Sequence, residues 1–420
     1  MSETAPTMAQ RPAPTGGDQT PPRVRIAWIG VGVFVLLAGV RELTGSNDML
    51  STGSLRAALI AAIPIALAGL GGLWSERAGV VNIGLEGMMI MGTLGAGYFG
   101  YHGGVLAGIG GAVLFGALFG LLHAIVTVYV GVDHIVSGVA INIIAAGLAA
   151  FLAKVFFSGL PGGGPTQSPG LPHPGTLPLD FIADPAKTLE DKEWFLVSDV
   201  AGVVGAVTER ISWLTVFALL LVAFTSWFLW HTAFGLRLRS VGESPSAAES
   251  LGVNVYLFKV VAVTVSGGLA GLGGAYLAMV ASSGYQNGQT LGLGYIGLAA
   301  MIFGNWRPSG LLVAALLFGY TQSINLRGGS DSLHSLLLAI AIILVGLAAW
   351  NLRSKALKQA ALFAAGGGLF LLWWATTESV SSKFTGMAPY VTTLLVLAFA
   401  SQRLRMPAAD GQVYRKGSAG

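Results

Sequence analysis

No cysteine occurs in the 420 residues, which excludes disulfides, thiolate metal sites and thiol nucleophiles. Charge is almost as scarce, with Asp, Glu, Lys and Arg making up 10% of the chain against about a quarter in soluble domains. No G-x-x-x-x-G-K-[ST] run is present, so the chain has no P-loop in which to cradle nucleotide phosphates. The six histidines include no HExxH and no pair at metal-ligand spacing. Neither metal nor cofactor is expected, and no nucleophile–base constellation points to an enzyme. Charges inside the long apolar runs are nearly missing, which argues against the acid–base relay of a proton-coupled pump.

What is there is apolar. Hydrophobic residues make up 54% of the sequence, arranged in runs long enough to cross a bilayer, so the chain reads as an all-α polytopic membrane protein. The 61 glycines suit a bundle whose helix backbones approach closely, and Gly104/Gly108 and Gly116/Gly120 have the small-xxx-small spacing of such contacts. About twelve spans are expected, within a range of ten to twelve, near 26–40, 55–74, 84–101, 105–129, 135–157, 211–231, 255–280, 291–304, 310–326, 334–350, 361–376 and 387–402. The run 291–304 is short enough to be a re-entrant half-helix. Residues 1–24 are a proline-rich polar tail expected to be disordered, 25–402 the membrane domain and 403–420 a second tail.

Alternating the spans from a cytoplasmic N-terminus leaves eight of the 23 basic residues outside: Arg41, Arg56, Lys154, Lys187, Lys192, Arg210, Arg327 and Lys383. The other fifteen fall inside, as the positive-inside bias requires. That bias also accounts for the net charge of +4 without invoking nucleic acid. Both termini are then cytoplasmic, the long segment 158–210 is external, and 232–254 forms a cytoplasmic loop.

An internal repeat is legible. Leu67-Ala-Gly-Leu-Gly-Gly72 recurs as Leu269-Ala-Gly-Leu-Gly-Gly274, followed in each copy by a related run, Ile83-Gly-Leu-Glu-Gly-Met88 and Ile296-Gly-Leu-Ala-Ala-Met301. The two copies lie in spans of opposite direction, the pattern of an inverted repeat with a solute route at its interface.

One polar stretch, Ser75 to Met89, interrupts the apolar pattern. Irregular polar chain at membrane depth is tolerated only where protein covers it or a watery cavity adjoins it. Glu86 has two readings there: it accepts hydrogen bonds at a broken helix start, or it lines the path of a solute. Asn82 can serve the same turn. Ser137 and Asn142 are about 140° apart on a helix and need not share a face, and Asn142 reads either as a solute contact or as an interhelical hydrogen bond. His134 reads as an interfacial residue. Tyr285, Tyr295, Phe303 and Trp306 are candidates to stack on a flat ligand or to anchor at the interface.

A second distinctive stretch is the cytoplasmic loop. Pro245 and Gly252 frame a short helix with start and stop signals in the expected places, either a linker or an element that docks into a partner's groove.

ERAGVVNIGLEGMM at 76–89 and FGLRLRSVGESPSAAESLGV at 234–253 resemble the permease subunits of ABC importers of the branched-chain amino acid and ribose type, nucleoside subgroup. IVSGVAINIIAAGL at 135–148 and the tail RMPAADGQVYRKG are similar to that subgroup too. The resemblance implies a translocation route formed with a second, related permease, two ATPase domains below and an external substrate-binding protein above. It implies that Arg237, Arg239, Glu243, Pro245, Ala248, Glu249 and Gly252 belong to the loop that meets the ATPase. Asn82, Glu86, Ser137, Asn142 and Tyr295 become the pathway candidates, with a nucleoside or a related sugar-containing solute as cargo. The alternative is an ion-coupled carrier of a small polar solute working without an ATPase.

Overall fold

The computed structural model describes residues 22–324, 329–380 and 404–417. Its elements are helices: α1 (Pro22–Thr44), α2 (Thr52–Arg77), α3 (Leu85–Ala124), α4 (His134–Phe157), α5 (Asp180–Glu190), α6 (Val197–Thr208), α7 (Trp213–His231), α8 (Ala233–Glu243), α9 (Pro245–Ser250), α10 (Val255–Tyr276), α11 (Leu293–Phe303), α12 (Pro308–Ser323), α13 (Gly329–Arg353) and α14 (Leu357–Thr376). Their starts follow from local chemistry. Ser51, Asp133, Ser212, Thr232 and Asn254 each accept a backbone N–H of the following first turn, which satisfies donors the helix itself cannot.

Among the described residues, seven helices are long and apolar enough to cross a membrane: Thr52–Arg77, Leu85–Val130, His134–Phe157, Trp213–His231, Val255–Ala281, Asp331–Arg353 and Leu357–Thr376. The longest is two arms of a hairpin. Gly104 has φ 79° and ψ −170°, a conformation open to glycine alone, and beyond it the chain doubles back so that Gly111 meets Phe99 and Gly108 meets Gly100. The segments expected at 84–101 and 105–129 are those arms. The run expected at 291–304 is an 11-residue helix, roughly 16 Å long and about half a bilayer. The span expected at 387–402 and the N-terminal tail to residue 21 lie outside the described residues.

α2 is buried on every side through its middle, so it is apolar all round rather than amphipathic. α10 lies against it, and the contact is reciprocal. A Cβ at Gly71 would stand 2.5 Å from the Ser266 carbonyl oxygen, and one at Gly273 would stand 3.2 Å from that of Pro64. Aligning Leu67 with Leu269 makes each contact the counterpart of the other. The second arm of α3 packs on α10 through Gly116 and Gly120. α4 buries one stripe (Ser137, Ile141, Ala145, Ala149, Ala153) and exposes Val136, Val139, Ile143 and Phe151 on the other side.

Segment 158–210 differs from the expected loop. It folds into α5 and α6, too short to register as spans. α6 is inside-out, with Ser198, Asp199 and Thr208 turned inward and Val197, Val200, Val203 and Val207 outward. Polar contacts bind the segment to the end of α1 and the start of α2: Arg41 Nε of α1 lies 3.2 Å from Asp199 Oδ1, Arg56 Nη1 of α2 lies 3.9 Å from Glu209, and Glu190 of α5 accepts the Thr52 N–H at 2.8 Å. A second polar cluster, around Arg77, Glu243 and Arg239, surrounds the other end of α2. The charge-based map assigns these two clusters to opposite sides.

Candidate functional site

Helix stops at Arg77 and resumes at Leu85. The intervening backbone is buried, so its polar groups need partners, and they have them. Ser75 Oγ donates to the Val80 carbonyl at 2.6 Å, and the Val80 N–H donates back to the Ser75 carbonyl at 3.1 Å. Lys259 Nζ donates to the Gly79 carbonyl at 3.3 Å. The Val81 N–H donates to His134 Nδ1 at 3.3 Å. His123 Nε2 bonds the Val81 carbonyl at 3.1 Å and His123 Nδ1 bonds Ser137 Oγ at 2.8 Å. Because a carbonyl only accepts, Nε2 carries the proton, and a neutral ring then accepts the Ser137 hydroxyl at Nδ1. Asn82 Oδ1 accepts the Gly84 N–H at 3.1 Å, while its amide donates to Ser266 Oγ at 2.9 Å.

Asn142 uses its whole side chain. It accepts the Gly87 N–H at 2.7 Å and donates to the Ile83 carbonyl at 3.0 Å and the Tyr295 hydroxyl at 2.9 Å. Asn142 therefore reaches the break directly and Ser137 through His123, despite their angular separation. His134, expected to be interfacial, is the first residue of α4 and is buried against the break.

The carboxylates on either side of the break hold the two ends of α11. Glu86 accepts from Thr290 Oγ1 at 2.6 Å and from the N–H groups of Gly292 and Gly294 at 2.9 and 2.7 Å. These are the free donors of a helix start, where an acid is also favoured by the helix dipole. At the far end, Trp306 Nε1 donates to Glu76 at 2.6 Å, and Arg77 donates to the Trp306 carbonyl through Nε at 3.1 Å and Nη2 at 2.7 Å. Asn305 and Trp306 have φ 55° and 52°, a backbone that costs about 1–3 kcal/mol per residue unless surrounding contacts fix it. Glu76 and Arg77 supply that fixation. Of the five pathway candidates, Asn82, Glu86, Ser137 and Asn142 are buried, and Tyr295 alone is open, at 46% exposed.

α8 followed by α9 forms an elbow. Pro245 opens α9, and Gly252, at φ +80°, closes it. The Val253 N–H reaches the Ala248 carbonyl and the Gly252 N–H reaches that of Glu249, the paired bonds of a glycine-terminated helix. Ala248 is buried with Val241 and Val255. Arg239 turns back to the Leu229 carbonyl at 2.9 Å and lies over Trp230, and Arg237 is exposed. Glu243 accepts the Ala408 N–H at 3.2 Å, and Glu249 accepts the Tyr414 hydroxyl. Both elbow acids thus meet the chain's own tail. Asp410 of that tail is buried beside Glu76, and burial pushes its carboxyl up to about 7.

Residues 54–346 match the family described as branched-chain amino acid transport system, permease component. The chain belongs to this family. The transport permease is 34% identical over 367 residues to the nucleoside ABC transporter permease protein NupC of Lactococcus lactis subsp. cremoris, covering 85% of this chain and 95% of that protein. It is 35% identical to the guanosine ABC transporter permease protein NupQ of Bacillus subtilis over 86% and 96% of the two chains. It is also 31% identical to a putative glucose ABC transporter permease protein of Haloferax volcanii over 87% and 98%. No solved structure matches the permease. The break, α11 and the elbow all lie within the matched residues.

His123, Lys259, Ser266, Thr290 and Asp410 were not singled out by sequence reasoning. For His123 and Lys259 a signal existed, since an ionisable residue in an apolar span needs a partner. Ser266 and Thr290 carry none, being ordinary small polar residues until the fold brings them to the break.

Proposed function

We propose that this permease is the membrane subunit of an ABC importer for a nucleoside or a related sugar-containing solute, powered by a separate ATPase. The observation that carries the reading is the polar break, closed on itself by buried partners and joined to a short elbow helix at one end of α2. A self-contained break gives a membrane body one irregular, movable joint, and the elbow gives an outside motor a handle on it. The nucleoside and guanosine permeases among its relatives favour a nucleoside over other solutes.

On this reading Asn82, Glu86, Ser137 and Asn142 brace the joint, and Tyr295 faces the solute. The elbow residues Arg237, Arg239, Glu243, Pro245, Ala248, Glu249 and Gly252 form or support the surface that meets the ATPase. The exposed faces of α4 and Tyr295 adjoin a second, related permease, and an external substrate-binding protein delivers solute at the end where α5 and α6 lie. The permease sits in the cytoplasmic membrane with both termini inside and crosses it about twelve times. Two facts favour this arrangement: the basic-residue bias, and the grouping of contacts around opposite ends of α2. The reciprocal Gly71–Ser266 and Gly273–Pro64 contacts favour an inverted repeat, because a local two-fold axis generates such pairs.

Reconstitution tests the reading. Proteoliposomes holding the permease, its partner permease, the ATPase and the binding protein should accumulate radiolabelled nucleoside only with ATP inside the cytoplasmic-facing compartment. Gradient-driven uptake by liposomes holding this chain alone would overturn the proposal in favour of an ion-coupled carrier.

A further inference from the structure

We propose that residues 404–417 are a transmission strap, the element that makes the polar break follow the cytoplasmic elbow; this rests on the ABC-permease reading. The tail has no helix or strand, and an untied chain end ordinarily frays. This one is tied at every step. The Arg405 N–H donates to Asn305 Oδ1 at 2.7 Å, at the turn that ends α11. The Ala408 N–H goes to Glu243 and the Ala409 N–H to the Gly242 carbonyl at 3.0 Å, both at the end of α8. Tyr414 bonds Glu249 on α9, packs on the cluster of Val241, Ala248 and Val255, and sets its ring 5.6 Å from that of Tyr256. The Lys416 N–H reaches the Tyr256 hydroxyl at 3.3 Å.

The same fourteen residues also touch the break. The Ala409 carbonyl comes within 3.2 Å of where a Cβ at Gly79 would stand, a tight approach at a residue whose φ of +79° already favours glycine. Gly411 sits against the Val81 side chain. Asp410 enters the protein beside Glu76, the residue that holds Trp306. The strap therefore meets the elbow, the break and the end of α11 together. Elbow and break touch directly at Gly242, which abuts the Arg77 carbonyl and the Gly79 N–H. The strap backs that junction and fastens it to α9 and to the end of α11.

A consequence concerns what remains for the ATPase. Glu249 is engaged by the strap, so the part of α9 left free to enter a partner's groove is its small-residue tip. Ser246, Ala247 and Ser250 are exposed there, and Leu251 is 84% exposed. A push on that tip moves Tyr414 and Ala409 with it, and through them Gly79 and Glu76.

The test uses the assembled transporter in proteoliposomes. Full-length permease is compared with a chain ending at Leu404 and with two single variants, Ala409→Pro, which removes the donor to Gly242, and Tyr414→Phe. The expected result is that the ATPase still co-purifies and hydrolyses ATP, while solute moved per ATP falls at least tenfold in the truncated chain and less in the single variants. Unchanged transport per ATP in the truncated chain overturns the strap, as does loss of ATPase binding on truncation, which would make the tail an anchor instead. Should truncation prevent folding, the absence of cysteine in the chain allows spin labels at Ser250→Cys and Gln412→Cys, both exposed positions. Their separation should stay constant between ATP-free and ATP-bound states, and a change between states would refute the strap. Failure of the wild-type permease to co-purify any ATPase would instead refute the importer reading.

Discussion

Glu86 and Glu76 grip opposite ends of α11 with the same functional group in different company. Glu86 meets three donors, Thr290 Oγ1 and the N–H groups of Gly292 and Gly294. Glu76 meets one, the Trp306 indole, and faces a second acid, Asp410, brought by the tail. The first end is a fixed bracket, saturated by groups of its own neighbourhood. The second depends on a segment more than 300 positions along the chain, so its grip changes whenever the tail does. Under the strap proposal, α11 pivots about its Glu86 end, near which Tyr295 lies.

The strongest way to break this contrast is Glu86→Ala, which strands a buried hydroxyl and two buried N–H groups. Each stranded donor costs about 1–3 kcal/mol, so the variant should show the largest fall in thermal midpoint in detergent. Trp306→Phe at the other end removes a single hydrogen bond worth about 1–3 kcal/mol, and its fall in midpoint should be clearly smaller. Equal falls would mean the two ends are not different in kind. Tyr295→Phe removes the acceptor of one Asn142 amide N–H, a loss of about 0.5–1.5 kcal/mol, and should lower the midpoint less than Trp306→Phe does. Tyr295→Ala should raise the apparent KM for solute, measured by uptake, because it removes an open ring rather than a brace.

The smallest effect is on pH. The Asp410 carboxyl ordinarily titrates near 3.8 and is pushed up to about 7 by burial, with Glu76, Lys259 and Arg77 facing it. Raised folded-state values favour the protonated form, so tail docking is fully supported below the ordinary value and weakens as pH rises through about 7. Limited proteolysis of the tail should therefore quicken from pH 5 to pH 8, and Asp410→Asn should flatten the dependence. No quickening in the unmodified permease would remove Asp410 from the adjustable end.

Much of this was legible in the residues. Hydropathy located α1 to α4, α7 and α10 to α14, because a membrane helix must be apolar over its length. The break was legible because Glu76, Arg77, Asn82 and Glu86 violate that rule, and α9 because Pro245 and Gly252 mark its ends. What Glu86 binds was not legible. Thr290, Gly292 and Gly294 lie about two hundred residues away, and two of them contribute only backbone, which no sequence pattern records. α6 escaped notice because twelve residues fall below span length and its valines face out rather than in. The tail was visible as a recurring motif, but its ties to Gly242, Glu249 and Asn305 exist only in the folded chain.

The most direct measurement is paired on one variant, Glu86→Gln: thermal midpoint in detergent, and apparent KM for solute uptake in the reconstituted importer. A bracket predicts a lowered midpoint with KM essentially unchanged, since the solute never meets the carboxylate. An unchanged midpoint with KM raised roughly tenfold, the signature of a lost binding contact, would contradict it and make Glu86 part of the solute path.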